Sequence, residues 1–103
     1  MPLSSFQIED LIAAYREGRT TPEQVIAEVY DRIEAWPDKA VWISLFTREE
    51  ALAKARDVAA RPEGVDGLPL YGIPFGVKDN IDVAGLPTTA ACPDYSYQPW
   101  ENA

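Results

Sequence analysis

Tyr71-Gly72-Ile73-Pro74-Phe75-Gly76-Val77-Lys78-Asp79-Asn80-Ile81 is a mostly apolar run that ends abruptly in a polar cluster. Its apolar residues predict a short strand over roughly 73–78. Pro74 has no N–H to donate to a ladder, so it belongs at the strand's first residue or on an edge, and Gly76 predicts close approach of a neighbouring backbone. Lys78 closes the run. On pattern alone it reads as a strand-end lysine that lifts its charge into solvent over a hydrocarbon stem. After Ile81, Gly85, Pro87, Pro93 and Pro99 predict an ordered but irregular loop.

Upstream, Val41-Trp42-Ile43-Ser44-Leu45-Phe46 is a nearly continuous apolar run of strand length, suited to a buried sheet position. Thr47 and Glu50 follow it with the spacing of a capping box. They open a helix whose Ala51, Leu52, Ala55, Val58 and Ala59 form a narrow apolar stripe, with Pro62 just past its end. Arg61 to Leu70 reads as loop. Nearer the N-terminus, Ile8, Leu11, Ile12 and Tyr15 share one face of a helix over about 7–17, and Gly18 supplies a permissive stop. Thr21-Pro22-Glu23-Gln24 sets a capping threonine, a proline at the first helical position and a glutamine placed to bond back. The helix it opens, over about 22–35, carries Val25, Ile26, Val29, Tyr30 and Ile33 and ends before Pro37.

Strands mixed with helices place the chain in the α/β class, as one unit over 1–103. Within it, 1–36 forms a helical N-terminal region and 41–103 the start of an α/β core. Two strands, three helices and a long loop leave sheet edges with unpaired backbone groups and apolar faces uncovered, so the fold is expected to be incomplete in this chain. Asn102-Ala103 resembles a helix cap without its helix. The stripes of the first two helices hold more apolar surface than one small sheet needs, which predicts a homo-oligomer of the intact protein that uses Leu11 and Val29.

The formal net charge is -8, and no run of Lys or Arg offers a footprint for phosphate backbones or anionic lipid. Nucleic acid and membrane are therefore not expected as partners. The chain has no histidine, which excludes Ser-His and Cys-His nucleophilic sites and imidazole zinc sites. Any catalysis here needs another base. The single cysteine, Cys92, cannot form an internal disulfide and reads as a small packing residue, while Trp36, Trp42 and Trp100 read as core or interface anchors. With neither a secretory pattern at the N-terminus nor a spanning apolar run, the cytoplasm is the expected compartment. Asp79-Asn80-Ile81-Asp82 brings oxygen ligands close together but lacks the glycine and distal glutamate of a calcium loop. It reads as turn chemistry, and no metal is expected.

The run Leu70 to Ile81, continued by Gly85-Leu86-Pro87-Thr88-Thr89-Ala90, resembles the first block of the amidase-signature family. The order of helices, strand, helix, proline-glycine loop and block is similar to the start of such enzymes along nearly the whole chain. Pro87-Thr88-Thr89-Ala90-Ala91-Cys92-Pro93 is most similar to the allophanate hydrolases within that family. The resemblance implies the N-terminal portion of a mixed β-sheet core covered by helices. It also implies amide hydrolysis by a Ser, cis-Ser, Lys triad without metal or organic cofactor, acting on a small-molecule amide such as allophanate during urea breakdown. By position the triad lysine is Lys78.

A Ser-Lys arrangement needs no histidine, because burying an ammonium among apolar groups favours the neutral amine, which can take a proton from serine. The family's serines and oxyanion N–H groups lie in a glycine- and serine-rich segment further along. Ser4, Ser5, Ser44 and Ser96 have no such context and read as caps or loop residues. This chain alone is thus expected to be inactive. Asp79, Asn80, Thr88 and Thr89 sit where they could orient Lys78 or line its pocket, although turn formation explains them equally well. Two alternatives stay open: another member of the family, such as the A component of a glutamine-dependent amidotransferase, or a non-catalytic interaction or structural module.

Overall fold

The computed structural model describes residues 5–103, so Ser4 lies outside the described residues. The chain divides into two compact units. One comprises the chain up to Trp36 with Thr47–Pro74, the other Pro37–Phe46 with Phe75–Ala103.

The first unit is helical. Helix α1 spans Ile8–Arg16 and stops where expected: Gly18 takes a φ of +71°, its N–H donates to the Tyr15 carbonyl, and Arg19 N–H reaches back to Ala14 at 2.9 Å. These paired bonds form a Schellman motif, which satisfies carbonyls the helix would otherwise leave open. Helix α2 spans Pro22–Ala35, capped by Thr21 Oγ1, which accepts the Gln24 N–H at 3.2 Å. The Gln24 side chain does not bond back to the cap. Its carbonyl oxygen accepts from the Thr20 hydroxyl. Helix α3 spans Arg48–Ala59 and carries a complete capping box between Thr47 and Glu50. Gly64–Gly67 forms a single helical turn, α4, inside the stretch expected to be loop.

Packing follows the apolar stripes. Leu11, Tyr15 and Val25 form the core, with exposures of 1%, 9% and 0%, and Phe6, Ile12, Val65, Tyr71 and Ile73 pack against it. Leu11 therefore serves the chain's own core, whereas Val29 is half-buried. Ala51 and Ala55 are the buried residues of α3, and their small side chains let α2 and α3 approach closely. Arginines clamp the same pair of helices from outside. Arg48 reaches Asp31 and Glu34 at 3.0 and 2.9 Å, and Arg56 holds Glu23 through two bonds. Such surface pairs are each worth about 0–1 kcal/mol, so burial of the stripes outweighs them.

The expected strands do not form. Among the described residues there is no strand, and the one ladder contact is an antiparallel bridge between Thr88 and Tyr97. Lys39–Val41 is a 3₁₀ turn, and Trp42 and Ile43 beyond it are exposed rather than buried. Residues 73–78 carry no regular structure, and Phe75 is 84% exposed. The reason is pairing: apolar β-branched sequence favours a strand only when a neighbour completes the ladder, and the described residues supply none. Trp36, Trp42 and Trp100 are likewise exposed and anchor no core in this chain. The Asn102 side-chain oxygen accepts the Ala84 N–H at 2.8 Å.

Candidate functional site

Lys78 lies in the second unit, at the end of the apolar run that starts at Tyr71. Its carbonyl accepts the Ile81 N–H at 3.0 Å, which closes a turn immediately after it. The side chain is exposed, as are those of Phe75, Val77 and Ile81 near it in sequence. The burial expected of a catalytic lysine is thus absent from this chain, because these neighbours are themselves uncovered. Among the described residues no carboxylate pairs with its ammonium.

Both acidic residues of the following turn are committed elsewhere. The Asp79 carboxylate accepts the Thr89 hydroxyl, together with the N–H groups of Thr89 and Ala91, each at 3.3 Å. Its backbone carbonyl also accepts from Thr89 and from Ala90, the latter at 3.1 Å. The Thr89 hydroxyl and these N–H groups stabilise the carboxylate, so Asp79 is held below the usual range. The loop it grips is unusual: Ala90 and Ala91 follow one another with φ of +50° and +61°, a region costly for residues with a Cβ. Asp79 therefore fixes a strained loop to the residue next to Lys78.

Asp82 repeats the device. Its carboxylate accepts the Thr88 hydroxyl at 2.9 Å and the Tyr97 hydroxyl, while Thr88 and Tyr97 exchange backbone bonds at 2.9 and 3.0 Å. The bond to Asp82 raises Tyr97, since losing its proton would set two negative charges side by side. Thr88 is buried. In Asp79-Asn80-Ile81-Asp82 both carboxylates thus make the loop hydrogen bonds of turn chemistry.

Ile43, Thr89, Ala91, Pro93 and Ser96 line an open groove of about 280 Å³ in this unit. Ser96 is exposed there, Ser44 is half-buried, and Ser5, in the first unit, accepts the Gln7 N–H. Asn80 is exposed, and Cys92 is a half-buried free thiol. Sequence reading missed the role of Tyr97, and it saw in Asp82 only a failed metal ligand. Nothing in the spacing joins residues fifteen positions apart across a proline-rich loop. Among the described residues no helix is long and apolar enough to cross a membrane.

A family model described as Amidase matches residues 24–102. The chain is 39% identical over 95 residues to urea amidolyase of Saccharomyces cerevisiae, covering 91% of this chain and 5% of that protein. It is also 39% identical over 84 residues to the A component of the glutamyl-tRNA(Gln) amidotransferase of Deinococcus deserti, covering 82% of this chain and 17% of that one. Among solved structures, a serine-to-alanine variant of Kluyveromyces lactis allophanate hydrolase superposes with a TM-score of 0.77 at 33% identity. That match covers 98% of this chain and 17% of the hydrolase chain. The chain thus spans a small part of each relative, yet matches it along most of its own length. With the block around Lys78 inside the matched region, the chain belongs to the amidase family.

Proposed function

We propose that this chain is the lysine-bearing part of an amidase-signature hydrolase whose substrate is allophanate, split to ammonia and carbon dioxide in urea breakdown. Lys78 is its general base. The neutral amine takes the proton from a serine supplied by the rest of the enzyme, the serine oxygen bonds to the amide carbon, and the lysine ammonium returns the proton to the departing nitrogen. Water then hydrolyses the acyl-enzyme. Neither a metal nor an organic cofactor enters these steps.

The observation that carries this reading is the amidase match over residues 24–102, which contains the block around Lys78. A base must be able to lose its proton, and a carboxylate partner would hold it on. The nearest acidic residue in sequence, Asp79, has its oxygens engaged by Thr89 and Ala91, which leaves the ammonium without a carboxylate partner among the described residues. The likeness to urea amidolyase and to allophanate hydrolase supports the choice of substrate. The amidotransferase likeness favours a second reading, in which the same lysine serves release of ammonia from glutamine.

The test is ammonia release from allophanate, with glutamine in parallel, by the full-length natural protein and its Lys78→Ala and Lys78→Arg variants over a pH series. Arginine keeps the charge but stays protonated in a protein, so both variants should lose about 10²–10⁴-fold in rate. The 103-residue chain alone should release none. If the purified, folded Lys78→Arg variant stays within a few fold of wild type, the base assignment is wrong. Preference for glutamine over allophanate would select the second reading.

A further inference from the structure

Beyond Lys78 itself, the contacts of the residue after it assign a second role. We propose that Asp79 is a positioning residue for the reaction. Its grip on Thr89 and Ala91 fixes the backbone that carries Lys78 against the 89–91 loop, so that the loop forms a rigid wall of the site that holds a small amide.

Three features of the second unit lead there. First, Asp79 holds the loop twice, once through its carboxylate, on Thr89 and Ala91, and once through its carbonyl, on Thr89 and Ala90. The Lys78 carbonyl is tied separately to Ile81. The 78–79 and 79–80 peptides are therefore both restrained. Second, the loop needs holding. Two consecutive alanines with positive φ are not a conformation the segment adopts unaided, and such strain persists only where surrounding structure imposes it. Ala91 N–H is shared between Asp79 and the Thr89 hydroxyl, so the three residues form one closed set of bonds. Third, two residues of this set, Thr89 and Ala91, line the groove of about 280 Å³, whose other walls are Ile43, Pro93 and Ser96. The groove's size suits a substrate of a few heavy atoms.

This inference rests on the proposed hydrolase reading, and its test separates the two. In the full-length protein, Asp79→Ala and Thr89→Val each remove one half of the contact, while Thr89→Ser keeps the hydroxyl. Displacement of a reacting group by about 1 Å costs on the order of 100-fold, so each disruptive variant should lower kcat for allophanate by roughly 10- to 100-fold. Thr89→Ser should stay within about threefold, and melting temperatures should remain close to wild type. The double variant Asp79→Ala/Thr89→Val should be no worse than the worse single, since both remove the same contact. Hydrogen exchange of peptides covering 88–92 should quicken in the disruptive variants. Losses that multiply in the double variant, or kcat near wild type despite faster exchange, would overturn the positioning role. If wild-type activity survives Lys78→Ala in the same assay, the assignment of Lys78 as base falls and this inference with it. Full dependence on Lys78 with no effect at Asp79 or Thr89 overturns the positioning role alone.

Discussion

Replacing Gly72 with alanine should cost far more than a methyl group ordinarily does. Gly72 has a φ of +65°, and a Cβ built there falls 2.8 Å from Cε2, Cζ and the hydroxyl oxygen of Tyr15. The positive φ alone costs about 1–2 kcal/mol for a residue with a Cβ. The ring must also move, yet Tyr15 is a core residue whose hydroxyl donates to the Gly72 carbonyl at 2.5 Å and whose ring stands edge-on to Tyr71. The hydrogen bond is worth about 0.5–1.5 kcal/mol and the aromatic contact a similar amount. Together these give a loss of roughly 2–5 kcal/mol. Gly18→Ala is the control: φ there is +71° but nothing lies within 4 Å, so the backbone cost stands alone. Hydrogen exchange of the α1 amides in the full-length protein reads both, at tenfold in rate for about 1.4 kcal/mol of local stability. Equal effects of the two substitutions would refute the claim that the Tyr15 ring is held in place at Gly72.

Thr47→Ala removes the cap of α3 and should cost about 0.5–2 kcal/mol, read as faster exchange over 48–52, with Thr47→Ser nearly neutral. Tyr15 is pushed up to about 12 by burial and then by Tyr71. A raised folded value means its contribution is fully present below pH ~10 and is lost as pH climbs through ~12, so Tyr15→Phe should flatten the alkaline end of an unfolding curve. Leu11→Ala should destabilise the first unit by about 2–5 kcal/mol without changing oligomeric state, whereas Ile8→Ala, at an exposed position, should cost much less. Light scattering alongside thermal unfolding separates core from interface, and dissociation without loss of stability would place Leu11 at a contact between protomers.

The helices were legible because their determinants are local. Thr21, Thr47 and Gly18 act within a few residues of themselves, and stripes such as Leu11 with Tyr15 are fixed by a 3.6-residue period. The two strands were misread because a strand's determinant is its partner. Val41 to Phe46 has the composition of a buried strand, but composition says nothing of where a neighbour comes from, and no neighbouring strand lies among the described residues. The single turn at Gly64–Gly67 escaped because two glycines mark it as loop, and its N-terminal end depends on a φ of +63° at Gly64 that no pattern encodes. The base role proposed for Lys78 comes from family resemblance alone, since its surroundings in sequence suit a solvated lysine equally well. The bonds around it were hidden for a different reason: Asp79 meets its partners ten and twelve residues away, in a loop with two left-handed alanines.

What fixes Lys78 in space and what would make it a base are separable. Position comes from hydrogen bonds within residues 78–91, which need no further protection because a carboxylate with three donors is satisfied even beside water. Basicity has another origin. A lysine in water stays charged at neutral pH, and only loss of hydration favours its neutral form. In this chain Lys78 is exposed, as are Phe75, Val77 and Ile81 near it in sequence, so the turn is held by hydrogen bonds and the lysine is not buried. In the proposed hydrolase that desolvation would have to come from the rest of the enzyme packing over this segment. The two contributions respond differently to mutation. Phe75→Ala, which removes an exposed apolar side chain three residues from Lys78 but leaves every hydrogen bond of the turn, should move the acid limb of the kcat/KM profile to higher pH if that side chain is part of the packing that dehydrates the base. Asp79→Ala should lower the plateau and leave that limb in place. A shift of the limb by the Asp79 variant, or a fall of the plateau alone by the Phe75 variant, would mean that position and desolvation are not divided in this way.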